Sequence, residues 1–313
     1  MSGNQSGDKS PHSKSHGPDA RATVNNHGVV RRVTTTICVK RTVVISDTHM
    51  GRPGRQQVMA RQLRPLWFGA GHLIINGDVA ELQNPLMQAE GARQIQHLQD
   101  SCDADGVRLT MLSGNHDAYL SDQRHLMLAN GLVMLTHGDV LHPAVAPWSS
   151  AAQRMRKETA SLLSRLDPDQ RHDLNMKLSA AQHVSHYGSV NEQRQEIRYG
   201  TKWILMRPWR VAQVIGYWMT VPKYAARFAL LHAPEARIVL FGHSHRQGIW
   251  QRLGRTVINT GSFVFPGRPR AVVLEGNRLS VWRIVRTHSQ YNFGRTTIAQ
   301  FELPLAPPLR KTA

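Results

Sequence analysis

Residues 42–51 read T-V-V-I-S-D-T-H-M-G: a β-branched run, a serine, then a polar loop carrying Asp47 and His49. A short apolar run that stops at such a loop is the signature of a buried strand feeding a turn. The same grammar recurs along the chain. His72–Ile75 leads into Asn76-Gly77-Asp78, and Val107–Leu112 leads into Ser113-Gly114-Asn115-His116-Asp117. Leu132–Leu135 leads into Thr136-His137-Gly138-Asp139, and Ile238–Phe241 into Gly242-His243-Ser244-His245. Helix-like stretches over 56–68 and 84–100 separate the first three strands. Strands alternating with helices predict an α/β fold, and no period of the length used by solenoids repeats.

Working outward, residues 1–38 are rich in Ser, Gly, His, Asn and charge and predict a disordered basic tail. Order is expected over 39–300. Within it, residues 142–235 contain no clear strand and predict helices interrupted at Pro147, Pro208 and Pro222, a helical cap inserted between two strand-loop units. Residues 248–285 switch to short strands over 248–253, 255–259, 271–274 and 279–285, the last two joined as a closing hairpin through Glu275-Gly276-Asn277. Residues 301–313 are expected to form a Pro-rich tail.

Composition excludes several classes. Hydrophobic residues make up 41% of 313, enough for a sizeable core. Cys38 and Cys102 are isolated, so neither a disulfide framework nor a thiolate zinc site is in play. No apolar stretch approaches the ~20 residues of a membrane span, and no apolar core of a secretory signal stands near the start. A cytoplasmic protein is the expectation. With 39 Lys+Arg against 21 Asp+Glu the formal charge is +18, which points to anionic partners: nucleic acid, anionic lipid or phosphorylated small molecules.

The strand-end loops gather a chemically coherent set. Asp47, His49, Asp78, Asn115, His116, Asp117, His137, His243 and His245 fall at the C-terminal strand edge, where open α/β sheets bind ligands. Carboxylates, imidazoles and one amide, with no thiolate, suit hard or borderline divalent ions such as Mn²⁺, Fe²⁺ or Zn²⁺. Residues i and i+2 at a strand end point the same way, so Asp47 with His49 and His243 with His245 can each chelate. Asp78 can bridge two ions through its two oxygens. Two ions about 3.5–4 Å apart suit in-line displacement at phosphorus.

The blocks Asp47-Thr48-His49, Gly77-Asp78-Val79-Ala80-Glu81, Gly114-Asn115-His116-Asp117, His137-Gly138-Asp139 and Gly242-His243-Ser244-His245 resemble, in that order, the calcineurin-like metallophosphoesterase superfamily. The resemblance spans roughly 41–285. It implies two facing β-sheets flanked by helices and two divalent ions, Mn²⁺ above all. Asp47, His49 and His245 would hold one ion, Asn115, His137 and His243 the other, with Asp78 between them. His116 would protonate the leaving oxygen, and Asp117 would hydrogen-bond and orient it. The implied reaction is hydrolysis of a phosphate ester or pyrophosphate by in-line attack of a metal-bridging hydroxide. Glu81 is expected to support the ligands rather than bind metal, and Asp139 is assigned no metal.

Substrate identity is legible only in outline. The D-x-H-x-G opening and the helical insertion are similar to the UDP-2,3-diacylglucosamine pyrophosphohydrolases, whereas Gly114-Asn115-His116-Asp117 departs from the G-N-R-D usual there. A nucleic-acid or cyclic-nucleotide phosphodiesterase and an inactive scaffold of the same fold are the alternatives. The cap has 13 Lys+Arg against 7 Asp+Glu. Its second half mixes Trp203, Trp209 and Trp218 with Lys202, Arg207, Arg210 and Lys223. That pattern reads either as a surface meeting an anionic membrane, placing the protein at the inner membrane face, or as helices packed on the catalytic domain. Arg52, Arg55, Arg207 and Arg210 are candidate contacts for substrate phosphate.

Overall fold

The computed structural model describes residues 40–54, 57–187, 208–265 and 267–304. The expected N-terminal tail, Arg55, Lys202, Trp203, Arg207 and the last nine residues lie outside these. The first sheet is built from β1 (Thr42–Ile45), β2 (His72–Asn76), β3 (Arg108–Leu112), β9 (Arg270–Glu275), β10 (Arg278–Thr287) and β11 (Gln290–Glu302), in the order β11-β10-β9-β1-β2-β3. The second contains β4 (His125–Leu128), β5 (Val133–Thr136), β6 (Ile238–Phe241), β7 (Gly248–Arg252) and β8 (Arg255–Asn259), in the order β4-β5-β6-β8-β7. The central strands of each sheet run parallel.

Side chains alternate across a strand, and both faces of these central strands are covered, which explains their unbroken apolar sequence. Val44, Ile74 and Leu112 of the first sheet pack against Val133, Leu135, Ile238 and Leu240 of the second, so the two sheets face each other. The opposite face of the first sheet, with Val43, Ile45, Leu73 and Ile75, is covered by α1 (Ala60–Trp67) and α2 (Gln88–Ala104) through Leu63, Leu66, Trp67 and Leu98. The outer face of the second, with Met134, Val239 and Phe241, is covered by a long helix through Tyr217, Val221, Ala225 and Ala229. The result is the expected α/β sandwich: two mixed sheets with flanking helices.

The regular structure described within residues 142–235 is helical: α3 (Ala152–Ser164), α4 (Leu174–Ser185) and α5 (Pro208–His232), joined by turns. Asp173 caps α4, its carboxylate accepting from the Met176 amide at 3.0 Å. Two expectations are corrected. Pro208 stands at the first position of α5, where its missing N–H costs nothing, but Pro222 lies inside the helix rather than ending it. Pro222 deprives the Trp218 carbonyl of its helical donor, and Arg246 Nη1 supplies a replacement at 3.1 Å. The chain does not close on the β9–β10 hairpin: β11 adds a 13-residue edge strand reaching Glu302, and Leu303 is buried, so order continues past residue 300. β4 is a further strand that the sequence did not announce.

Candidate metal centre

The five polar blocks converge at the C-terminal ends of β1, β2, β3, β5 and β6. Asp47, His49, Asp78 and His245 place ligand atoms within 4.8 Å of one another, and so do Asp78, His137 and His243. Asp78 belongs to both groups. Asn115 joins the second: its Oδ1 lies 2.7 Å from His243 Nδ1 and 3.3 Å from His137 Nε2. His49 Nε2 is 3.0 Å from His245 Nε2 and 3.6 Å from Asp78 Oδ2, while His137 Nε2 is 3.2 Å from the same Asp78 oxygen.

Hydrogen bonds outside the cluster set which imidazole nitrogen faces inward. His137 Nδ1–H donates to the Asn76 carbonyl at 3.1 Å, His243 Nε2–H to the Val145 carbonyl at 2.9 Å, and His49 Nδ1–H to Glu81 Oε1 at 2.9 Å. Each turns the opposite nitrogen into the donor set, which is how metal-ligating histidines are held. Burial, with Arg52 beside one and His137 beside the other, lowers His49 and His243 to about 4, so both are neutral at pH 7, the form a metal requires. Burial would raise the Asp47 and Asp78 carboxyls, but neighbouring imidazoles outweigh it and keep both ionised. Burial likewise opposes a charge on His137, yet Asp78 pushes it up to about 10. A proton there supplies positive charge that a divalent ion would bring.

Backbone conformation supports the same reading. Asp47, His49, Asp78, His243 and His245 all adopt left-handed φ, between 46° and 61°, a region that non-glycine residues enter at a cost. Three glycines make room beside them. A Cβ on Gly77 would fall in the His137 ring, one on Gly114 would meet Asp78, and one on Gly242 would meet the Asp47 carboxylate. Ser46 Oγ donates to Asp47 Oδ2 and the main-chain amide of His243 to Oδ1. The donor chemistry and the conformations together fit divalent metal ions.

His116 stands beside this set, and its partner differs from expectation. Asp117 turns inward, its Oδ1 accepting from the Gly114 amide at 2.7 Å and its Oδ2 from the Val79 amide at 2.5 Å. Those amides at the starts of two loops need an acceptor more than His116 does, and burial with Asp78 nearby raises Asp117 to about 7. The carboxylate on His116 Nδ1 is Glu81, at 2.8 Å. Burial resists protonation of His116, but Glu81 and Asp78 carry it up to about 9. Glu81 also accepts from Arg52 Nε at 2.5 Å. The Arg52 guanidinium is thus buried behind the donors, and Arg210 sits half-buried on the first turn of α5. Asp139 pairs with buried Arg124.

The chain belongs to the calcineurin-like phosphoesterase family. The family model matches residues 40–247. Among solved structures it is similar to a predicted phosphoesterase from Streptococcus pneumoniae, at 15% identity and TM-score 0.34, covering 84% of this chain and 97% of that one. It is similar to Vacuolar Protein Sorting 29 from Cryptosporidium parvum, at 12% identity and TM-score 0.38, covering 84% and 99%. A cold-active protein-tyrosine phosphatase of a Shewanella species follows at 13% identity and TM-score 0.36, covering 82% and 80%. No curated protein matches at a significant level.

Two features of the family centre were not announced by the sequence. Val145, whose carbonyl fixes the His243 tautomer, and Trp148, whose ring lies 5.7 Å from that of His243, come from the loop after the fourth block and carry no motif. Val145 also lines a cavity of about 280 Å³ with Leu141, Leu163, Lys177, Arg227 and Leu231.

Proposed function

We propose that the protein is a dinuclear metal-dependent phosphoesterase. The observation that carries this is the sharing of Asp78 between two donor groups whose imidazoles are oriented from outside: His49 and His243 present lone pairs inward, and His137 would do so once an ion took the place of its inward proton. Asp47, His49, Asp78 and His245 would hold one ion and Asp78, Asn115, His137 and His243 the other. Such ions supply an acidified water and neutralise phosphoryl oxygens. The chain's own part is orientation and proton delivery. Glu81 occupies His116 Nδ1, leaving Nε2–H to give its proton to the departing oxygen, and the His116 side chain is 19% exposed, open enough to meet substrate. Asp117 anchors the two loops that carry Asp78 and Asn115.

For substrate class we favour an anionic amphiphile such as a UDP-linked acylated sugar. The support is the largely apolar cavity between α3, α4 and α5, with Lys177 and Arg227 in its wall and Val145 shared with the metal centre. The test is hydrolysis of aryl phosphomonoesters, diesters, cyclic nucleotides and UDP-sugars with added Mn²⁺. Activity that appears with metal and stops on chelation is expected. Activity that survives full chelation, or purified protein that binds no divalent ion, overturns the reading.

A further inference from the structure

Helix α5 has 25 residues and no acidic one; its charges are Arg210, Lys223 and Arg227. At 100° per residue, its inward stripe is Tyr217, Val221, Ala225 and Phe228, all buried against the second sheet. The opposite stripe carries Trp209, Ala212, Ile215, Met219, Lys223, Arg227 and Leu230, all exposed. Trp209 is 60% exposed, Ile215 47% and Met219 71%. An exposed helix face normally carries alternating charge. Here the first three turns present large apolar groups, the next two present cations, and nothing along the helix would repel an anionic surface.

Length alone would let α5 cross a bilayer at ~1.5 Å per residue, but no helix among the described residues is apolar enough over its length to do so. An aromatic and aliphatic stripe with flanking Lys/Arg and no acid suits a helix lying in the headgroup plane. Each Lys or Arg near an anionic leaflet adds to that attraction. We propose that the outward face of α5 docks this protein on an anionic lipid surface.

The helix is also fastened to the metal centre. Trp218 Nε1–H donates to the Ser244 carbonyl at 2.8 Å, and Arg246 Nη1 returns a bond to the Trp218 carbonyl freed by Pro222. Ser244 stands between His243 and His245, so docking α5 places the donor loop next to the lipid surface. The proposal is independent of the reaction catalysed.

The test is co-sedimentation of the full chain with sucrose-loaded vesicles of phosphatidylcholine alone or with one-third phosphatidylglycerol. Binding is expected to the anionic vesicles, weakened by salt, and absent from the neutral ones. The double variant Ile215→Glu/Met219→Glu, both positions being solvent-exposed, should keep the circular dichroism spectrum and metal stoichiometry. It should lose at least about tenfold in partition coefficient. Undiminished binding by that variant assigns the attraction to other basic segments and overturns the proposal. So does a shift of the variant from dimer to monomer in gel filtration without any loss of vesicle binding, which makes the face a contact between copies.

Discussion

Removing the Glu81 carboxylate is the sharpest test of how the centre is held. Its side chain is 2% exposed and accepts from Arg52 Nε at 2.5 Å, His49 Nδ1 at 2.9 Å and His116 Nδ1 at 2.8 Å. Removing one partner of a buried ion pair costs ~3–5 kcal/mol. Arg52 has further contacts, which sets the expectation for Glu81→Ala near ~3 kcal/mol. At roughly 2–4 °C per kcal/mol for a fold of this size, the melting midpoint should fall by roughly 6–12 °C. Glu302→Ala is the control: the Arg278–Glu302 pair is 62% and 61% exposed, and such pairs contribute below ~1 kcal/mol. Metal affinity by calorimetry with Mn²⁺ should fall ~10–100-fold in Glu81→Ala, where His49 loses the acceptor that fixes its tautomer, and less in Glu81→Gln, whose amide oxygen can still accept. The acid limb carries a sign. Burial would raise the Glu81 carboxyl, but Arg52 and His116 hold it well below 4.5. Its contribution is therefore fully present above the unfolded carboxyl's pKa and lost progressively as pH falls toward the folded one, so the gap in urea midpoint between wild type and Glu81→Gln should begin to narrow below about pH 4.5 and close only well below it. Unchanged stability and metal affinity in Glu81→Ala would refute the assignment of Glu81 as the anchor.

Gly77→Ala places a Cβ in the His137 ring at a φ of 82° and should abolish metal binding and lower the urea midpoint. Gly276→Ala, at a φ of 59° with nothing within 4 Å, should cost only the ~1–2 kcal/mol of the backbone strain. His116→Ala should keep both ions by metal analysis yet slow hydrolysis of an alkyl phosphoester by ~10²–10⁴-fold. A p-nitrophenyl ester, whose leaving oxygen needs little protonation, should lose much less.

The readable parts of the fold were those where burial leaves one solution. β1, β2, β5 and β6 are covered on both faces, so their sequences are unbroken apolar runs, and the donors follow because each run stops at a loop. β4 and β11 lie on sheet edges and escape that rule. His125–Leu128 is only half-buried, and β11 mixes Gln, Asn, Thr and Arg with its apolar residues because much of it faces solvent. Register shifts around Trp282 further break the period-two pattern along the β10–β11 pair. Pro222 misled because the bond repairing the helix comes from Arg246, 24 residues further on, and proximity along the chain misled at His116 in the opposite sense. Asp117 is its neighbour in sequence, but its carboxylate is claimed by main-chain amides. Glu81, 35 residues away in the chain, reaches the ring.

The left-handed backbone of the donors gives a last and less intuitive consequence. Among the described residues, eleven non-glycine positions have positive φ, and five of them are Asp47, His49, Asp78, His243 and His245. Glycine would relieve each strain of ~1–2 kcal/mol but carries no ligand atom, so the donors hold a conformation that stability alone would give to glycine. Asp78, at a φ of 49°, separates the two demands. Asp78→Ala and Asp78→Gly both remove the carboxylate that accepts from the His116 amide and faces His137, so both should lose the ions of both groups. Only the alanine retains a Cβ in the left-handed region. Asp78→Gly should therefore be the more stable of the two by about 1 kcal/mol in urea unfolding without metal, although it removes more atoms and leaves the larger void. An order of stability with alanine above glycine would mean that packing, not backbone strain, governs this loop, and the case for strain held in place by the metal centre would fall with it.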